Sequence, residues 1–320
     1  MSGVTSLPDL AAIRAARERI ARYVHVTPVL TSHSLDEIIG AKLFLKCESF
    51  QKVGAFKARG ACNAVLSLPE EDARRGVVTH SSGNHGAALA YAASRRGIPS
   101  HVVMPDNAPK IKIANVEGFG AKVHFCAPNV VAREKMCAEV EHATGATLVH
   151  PYDNAAVIAG QGTAVLELLE SYPDLDAVVA PVGGGGLLSG TAIATRGVSA
   201  KIKVYGAEPA GADDASRGFR SGRVEPMPNP QTIADGLRST LSERTLCALR
   251  EHVAAIATCS EGAIVAAMRL VWERAKILIE PSSAVPLAAM LEGTLDLRRK
   301  RVGVIITGGN VDLDRLPWQG

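Results

Sequence analysis

The sequence contains no CxxC pair, no long block of lysine and arginine, no apolar run of bilayer-spanning length and no internal repeat. Each absence removes a class of function. The six cysteines, Cys47, Cys62, Cys126, Cys137, Cys247 and Cys259, are scattered without metal-type spacing. They read as reduced, mostly buried thiols of a cytoplasmic protein, not as a disulfide framework or a zinc site. Net charge is +3, with both signs interspersed. The most basic stretch, LRRKR from Leu297 to Arg301, precedes a strand pattern and reads as a solvated turn, so no nucleic-acid surface is expected. Without an apolar span no membrane segment is expected either. The opening MSGVTSLPDLAAIRAARERI is an amphipathic helix candidate that lacks the apolar centre of a secretory signal.

What is present can support a core: 47% of residues are hydrophobic and 21% charged. The 320 residues suffice for one large domain or two ordinary ones. Strand patterns fall at 41–48, 76–80, 100–105, 121–126, 147–151, 177–182, 203–209 and 302–307. Several are unbroken apolar runs, as strands buried on both faces of a parallel sheet require. Helical patterns such as 84–97 and 261–275 lie between them. The predicted class is therefore α/β, with open, mostly parallel twisted sheets flanked by helices. No low-complexity linker divides the chain, and SGRVEPMPNPQT (221–232) reads as a surface excursion.

Five segments carry candidate chemistry. In APVGGGGLLSGTAIA (180–194), Gly183, Gly184, Gly185 and Gly186 follow a buried-strand pattern and open a helical one. Lacking Cβ atoms, such a loop can turn its N–H groups towards an anion, with the positive end of the next helix behind them. No lysine follows as a nucleotide P-loop would need, so the reading is a phosphate cradle; a tight connection would normally need only two glycines. THSSGNHGAALA (79–90) places Ser81, Ser82, Gly83, Asn84 and His85 between a strand and a helix, more polar and turn residues than one N-cap uses. They suit a carboxylate. VIITGGNVDLDRL (304–316) sets Thr307 at the carboxyl end of a strand, where ligands of open α/β sheets sit, although a plain turn explains its glycines equally well. YGAEPAGADD (205–214) groups Glu208, Asp213 and Asp214 around a turn; a hard cation or ordinary solvation would both account for them. Lys57 in SFQKVGAFKARGA (49–61) is either a solvated cation at a helix start or an amine held for covalent work.

Together these segments resemble the fold-type II pyridoxal-phosphate enzymes, in the branch that holds serine racemase and the 3-hydroxyaspartate dehydratases. SFQKVGAFKARGA, SSGNHG, VIAGQGT (157–163), PVGGGG, AEPAGADD, IADG (233–236), LIEPSSA (278–284) and GGNVDL occur in the family's order. The resemblance implies a tryptophan synthase β-like fold with a large cofactor-binding domain, residues 1–52 and 150–320. A small domain, 53–149, is inserted in it, and the active site lies in the cleft between them. It makes Lys57 the lysine that holds pyridoxal 5'-phosphate as an imine, an amine being able to bond reversibly and then act as a base. Phe56 would lie beside the ring and Asn84 at its phenolic oxygen. The backbone of Gly183 to Gly186 would hold the phosphate, and Thr307 would meet the pyridine nitrogen. A hydroxyl partner leaves that nitrogen neutral, enough for eliminating a β-hydroxyl.

Ser82 separates the branches, because threonine dehydratases usually carry alanine there. Lys57 and Ser82 would work on opposite faces of the cofactor, opening both Cα configurations to attack. The resemblance further implies substrate contacts from Ser81, Asn84 and His85, with Arg133 and Ser239 near a second carboxylate. For Arg133 the competing reading is a solvated helix cation. The implied cation is Mg2+ (or Ca2+ or Mn2+), held by Glu208, Asp214 and the Ala212 carbonyl. A homodimer is implied by family habit. Val53, Ala87 and Phe119 replace polar positions of the racemases' ATP site, so ATP activation is not expected, and Tyr152 in HPYDN (150–154) looks dehydratase-like. The expected activity is dehydration of a β-hydroxy amino acid, 3-hydroxyaspartate first, with serine racemisation or serine/threonine dehydration as alternatives.

Overall fold

The computed structural model describes residues 6–81, 83–108 and 110–319. Among these residues ten strands form two sheets. The larger takes β1 (Val29–Leu30), β2 (Lys42–Cys47), β7 (Ala177–Pro181), β8 (Lys203–Pro209), β9 (Ala255–Cys259) and β10 (Arg301–Ile306) in the order β1-β2-β10-β7-β8-β9. All its pairings are parallel except β1 with β2. The smaller takes β3 (Val77–His80), β4 (Ser100–Pro105), β5 (Lys122–Cys126) and β6 (Thr147–Leu148) in the all-parallel order β5-β4-β3-β6. The α/β class read from the sequence is the one observed. The central strands are covered on both faces: every residue of β7, and all but the first of β2 and β10, are buried.

The helices are α1 (Leu10–Ile20), α2 (His33–Ile39), α3 (Lys57–Leu66), α4 (Glu70–Arg75), α5 (Asn84–Arg96), α6 (Lys110–Glu117), α7 (Val130–Thr144), α8 (Ala155–Ser171), α9 (Gly186–Val198), α10 (Asp214–Ser221), α11 (Glu243–His252), α12 (Glu261–Leu270) and α13 (Pro281–Leu291). Local chemistry sets their ends. Asp9, Asn129 and Asn154 accept the N–H of Ala12, Ala132 and Val157, capping α1, α7 and α8. Pro281 opens α13, where its missing N–H costs nothing. No regular element covers 222–232, as expected for the surface excursion, and Arg298, Arg299 and Lys300 are exposed in a turn.

One buried ionic cluster locks α3 in place. Arg59, fully buried, donates to Glu48 through Nε (2.7 Å) and Nη2 (2.8 Å), and to Glu167 through Nη1 (2.7 Å) and Nη2 (2.8 Å). Its Nη1 also reaches the Thr163 hydroxyl at 3.2 Å. Lys46 supplies a second cation to Glu167 and donates to the Thr27 carbonyl at 2.6 Å. Two cations face two carboxylates, so the interior carries no net charge there, and α3 is bound both to the turn that follows β2 and to α8. Lys57 lies two residues before Arg59 on the same helix.

Candidate active site

Lys57 opens α3, and its amine donates to the Pro151 carbonyl at 2.9 Å. The same nitrogen lies 5.2 Å from the centre of the Phe56 ring. Burial lowers this amine from 10.5 to about 8, against a partial lift from the Glu280 carboxylate. It is therefore no solvated surface cation. The approach to it is tied to the end of β10: the Phe56 N–H donates to the Thr307 carbonyl at 2.9 Å, and the Gly309 N–H to the Gly54 carbonyl at 3.0 Å. Val53 sits at φ 57°, a left-handed conformation foreign to β-branched residues. The Asn310 side chain holds it there by donating to its carbonyl at 2.8 Å.

The opposite wall is polar and fully partnered. Asn84 donates to the Glu280 carboxylate at 3.0 and 3.1 Å and accepts from Asn310 at 2.9 Å. Burial, then the charge of Asp235, pushes Glu280 up to about 7, while the Asn84 contact pulls it down. The Thr307 hydroxyl is buried and 2.8 Å from that of Ser283, which also accepts the Gly308 N–H at 2.8 Å. Both groups beyond β10 are neutral hydroxyls.

The glycine loop closes a third side. The first i→i−4 bond of α9 runs from the Ser189 N–H to the Gly185 carbonyl, which leaves the N–H groups of Gly186, Leu187 and Leu188 without an intrahelical acceptor. Gly185 has φ 87°, and a Cβ on Gly184 would stand 2.3 Å from the Tyr152 ring. Side chains are thus excluded where N–H groups converge, which fits an anion.

Three imidazoles and a phenol line the remaining wall. His80, His150 and Tyr152 stack edge to face, with ring centres 5.6 and 4.6 Å apart. Burial lowers His80, and burial with the neighbouring His80 lowers His150 to about 4. His85 falls well below the usual histidine range, mainly by burial and then by the charge of Lys57. Its Nε2 lies 3.1 Å from the Val149 carbonyl, so Nε2 carries the proton and the buried Nδ1, which has no partner, is a bare acceptor. The imidazole has no N–H left to offer a carboxylate. The main-chain N–H groups of the first turn of α5 and the Ser81 hydroxyl beside them remain to do so.

Arg133, in the first turn of α7, is half-buried, and its charge acts on His80 and Tyr152. Ser81 faces the start of α5, where its hydroxyl accepts the Gly83 N–H at 3.2 Å. Ser239 is exposed beyond the turn Asp235–Leu237, and no hydrogen bond among the described residues ties it to the other candidates. Ser82 lies outside the described residues. Glu280, Asn310, His80 and His150 belong to the site although the motifs that hold them assign them no role in it. A carboxylate set in the apolar LIEPSSA segment was the one legible signal among them.

The acidic loop follows β8. Glu208 and Asp214 are buried, whereas Asp213 turns outward to Arg217 at 2.8 Å. Burial, opposed by N–H groups from the start of α10, pushes Glu208 up to about 9; burial likewise raises Asp214 to about 6. The Asp214 Oδ2 is buried and has no hydrogen-bond partner, and the Ala212 backbone closes the turn between the two acids. Two neighbouring buried carboxylates with an unsatisfied oxygen suit a hard divalent cation.

A lysine amine, a glycine cradle and a neutral hydroxyl at the carboxyl ends of parallel strands define a cofactor enzyme of aldehyde and phosphate chemistry. The chain belongs to the pyridoxal-phosphate-dependent enzyme family, whose model matches residues 20–308. It is 49% identical over 312 residues to a beta-hydroxyaspartate dehydratase of Paracoccus denitrificans, covering 98% of this chain and 99% of the relative. The solved serine racemase of Dictyostelium discoideum shares 48% identity at a TM-score of 0.91, over 97% of this chain and all of the other. A solved pyridoxal 5'-phosphate-dependent aspartate racemase shares 37% identity at a TM-score of 0.92, over 98% and 100% of the two chains. The protein is thus a pyridoxal-phosphate enzyme of the serine racemase and dehydratase branch. Among the described residues, no helix is long and apolar enough to cross a membrane.

Proposed function

We propose that this enzyme dehydrates 3-hydroxyaspartate, releasing ammonia and oxaloacetate by way of iminosuccinate. The observation that carries the substrate is Arg133. It is a half-buried guanidinium beside His80 and Tyr152, and no carboxylate among the described residues pairs with it. A cation left free in that position can take a second substrate carboxylate. The names of the Paracoccus relative and of the aspartate racemase point to the same four-carbon diacid skeleton.

Pyridoxal phosphate supplies an aldehyde that takes up an amine and a ring that accepts the electron pair left at Cα. Lys57 binds it and, with an amine near 8, serves as base on one face. Ser82 serves on the other. The glycine loop holds the phosphate, Asn84 the phenolic oxygen, and Thr307 keeps the ring nitrogen beside a hydroxyl. The N–H groups at the start of α5, with Ser81, receive the α-carboxylate. Glu208, Asp214 and the Ala212 carbonyl hold a divalent cation that braces the loop after β8. A homodimer and a cytoplasmic location belong to the same proposal, as does the division into residues 53–149 and the remainder.

Serine racemisation with side elimination is the second reading, favoured by the 48% identity to a racemase. Ammonia release should be screened across D- and L-serine, D- and L-threonine and the four 3-hydroxyaspartate isomers, with racemisation followed by chiral separation. Arg133→Ala should raise KM for hydroxyaspartate about 10–100-fold, the value of a charge-assisted hydrogen bond, and leave serine nearly unaffected. Ser82→Ala should spare one Cα configuration and cripple the other. Serine preferred over every hydroxyaspartate isomer, or Arg133→Ala harming both substrates alike, would reverse the assignment.

A further inference from the structure

The sequence motif VIAGQGT remains unexplained by any contact with the site. Its residues Gly160, Gln161 and Gly162 lie on α8, wedged between α3 and α9. A Cβ on Gly160 would stand 2.6 Å from the Arg59 carbonyl and from the Gly60 Cα, both backbone atoms of α3. A Cβ on Gly162 would stand 2.8 Å from the Gly190 carbonyl of α9. The fit is reciprocal. A Cβ on Gly190 would stand 2.4 Å from the Ile158 carbonyl, and one on Gly60 would stand 2.3 Å from the Gln161 amide nitrogen. Between the two glycines of α8, the Gln161 side-chain oxygen accepts the Gly60 N–H at 3.1 Å. Ordinary helix pairs keep axes about 8–10 Å apart, as side chains dictate. Here backbone meets backbone on both sides of one helix.

The position of these contacts gives them meaning. Gly60 lies about one turn into α3, which begins at Lys57; Gly190 lies about one turn into α9, which begins at the glycine loop. The two ends that must grip one rigid cofactor are therefore spaced by the thickness of α8 at its narrowest point. We infer that the Gly160-Gln161-Gly162 ridge is a spacer that fits the distance between the Lys57 amine and the glycine-loop cradle to the fixed span of pyridoxal phosphate, from aldehyde to phosphate. This rests on the assignment of Lys57 and the loop to those two ends. The residues are positioning residues and touch no ligand.

A ligand held at both ends gains from each only if their separation is right, since the second contact is then intramolecular. Spreading α9 from α3 abolishes that gain and leaves each end able to bind its own half. The test therefore compares three ligands on full-length protein stripped of cofactor: pyridoxal phosphate, pyridoxal, and inorganic phosphate. Gly162→Ala must move the Gly190 carbonyl by roughly half an ångström or more to reach ordinary contact, and misplacements of about 1 Å cost on the order of 100-fold. Its affinity for pyridoxal phosphate should fall by about that factor, with pyridoxal and phosphate each within about twofold of the unmodified protein. Gln161→Met keeps the bulk and removes the acceptor for the Gly60 N–H together with an amide nitrogen that is buried without a partner, so it should show the same selective loss, about tenfold. It decides the matter if Gly162→Ala does not fold. Parallel loss of all three ligands, or unchanged affinity for pyridoxal phosphate in a folded variant, overturns the spacer. Failure of the unmodified protein to bind any of the three would instead overturn the assignment of the two ends.

Discussion

The Lys57 amine offers the most exacting check on the site, because its acidity is set by surroundings that can be altered separately. At pH 7 an amine of 10.5 is unprotonated in about 0.03% of molecules, whereas one near 8 is unprotonated in about 9%, a gain of roughly 300-fold in nucleophile. The rate at which cofactor-free enzyme captures pyridoxal phosphate, trapped with borohydride and mapped to Lys57, should accordingly rise with pH and level off above about 8. Glu280→Gln should move that midpoint downward, since the carboxylate raises the amine. The shift should be visible only above about pH 7, where Glu280 is itself ionised. Stability carries the same signature. The folded amine binds its proton less tightly than the unfolded one, so between pH 8 and 10.5 the unfolded chain holds more protons. Lys57 should then add stability to the cofactor-free protein as pH rises through that window, about 3 kcal/mol in all. A capture midpoint at 10 or above, or an upward shift in Glu280→Gln, would refute the reasoning.

The ionic cluster under α3 and the acidic loop after β8 give two further expectations. Arg59→Met leaves Glu48 and Glu167 buried with Lys46 as their one remaining cation, and should cost about 3–5 kcal/mol in urea unfolding. Adding Glu48→Gln should restore part of that loss, and a cost under about 1 kcal/mol would mean that the cluster is slack. For Asp214→Asn, Mg2+ should no longer raise, nor EDTA lower, the thermal midpoint, as both should in the unmodified protein. With the cation removed the variant should be at least as stable, because two crowded carboxylates have become one. A variant that still responds to Mg2+ would remove Asp214 from the cation site.

The parts legible in the sequence were those where one physical demand dominates. Strands such as β7 and β10 are buried on both faces and announce themselves as apolar runs. The strand β9 was missed because it is an edge strand, mostly half-exposed and alanine-rich, and owes its form to pairing with β8. Likewise the pattern 261–275 reads as one helix, yet α12 gives way to a wider π turn over Val271–Ala275. In the site, Lys57, the glycine loop and Asn84 lie within local motifs. Glu280 and Asn310 lie in motifs too, LIEPSSA and GGNVDL, but their role does not: they meet Asn84 across 196 and 226 residues of chain, a proximity that only the folded chain creates.

The order of the larger sheet bears on how this protein is made. The strand β10 is inserted between β2 and β7, and among the described residues it is the one parallel partner of β2. On a ribosome adding about 5–20 residues per second, β2 would wait on the order of 13–50 s for residues 301–306 to emerge. The smaller sheet needs no such delay, since its four strands come from one unbroken stretch, 77–148. Newly made chains therefore pass through an interval in which one edge of β2, residues 42–47, is open, with only the two-residue β1 paired on its other side. An edge left open in that way is a template on which another chain can pair.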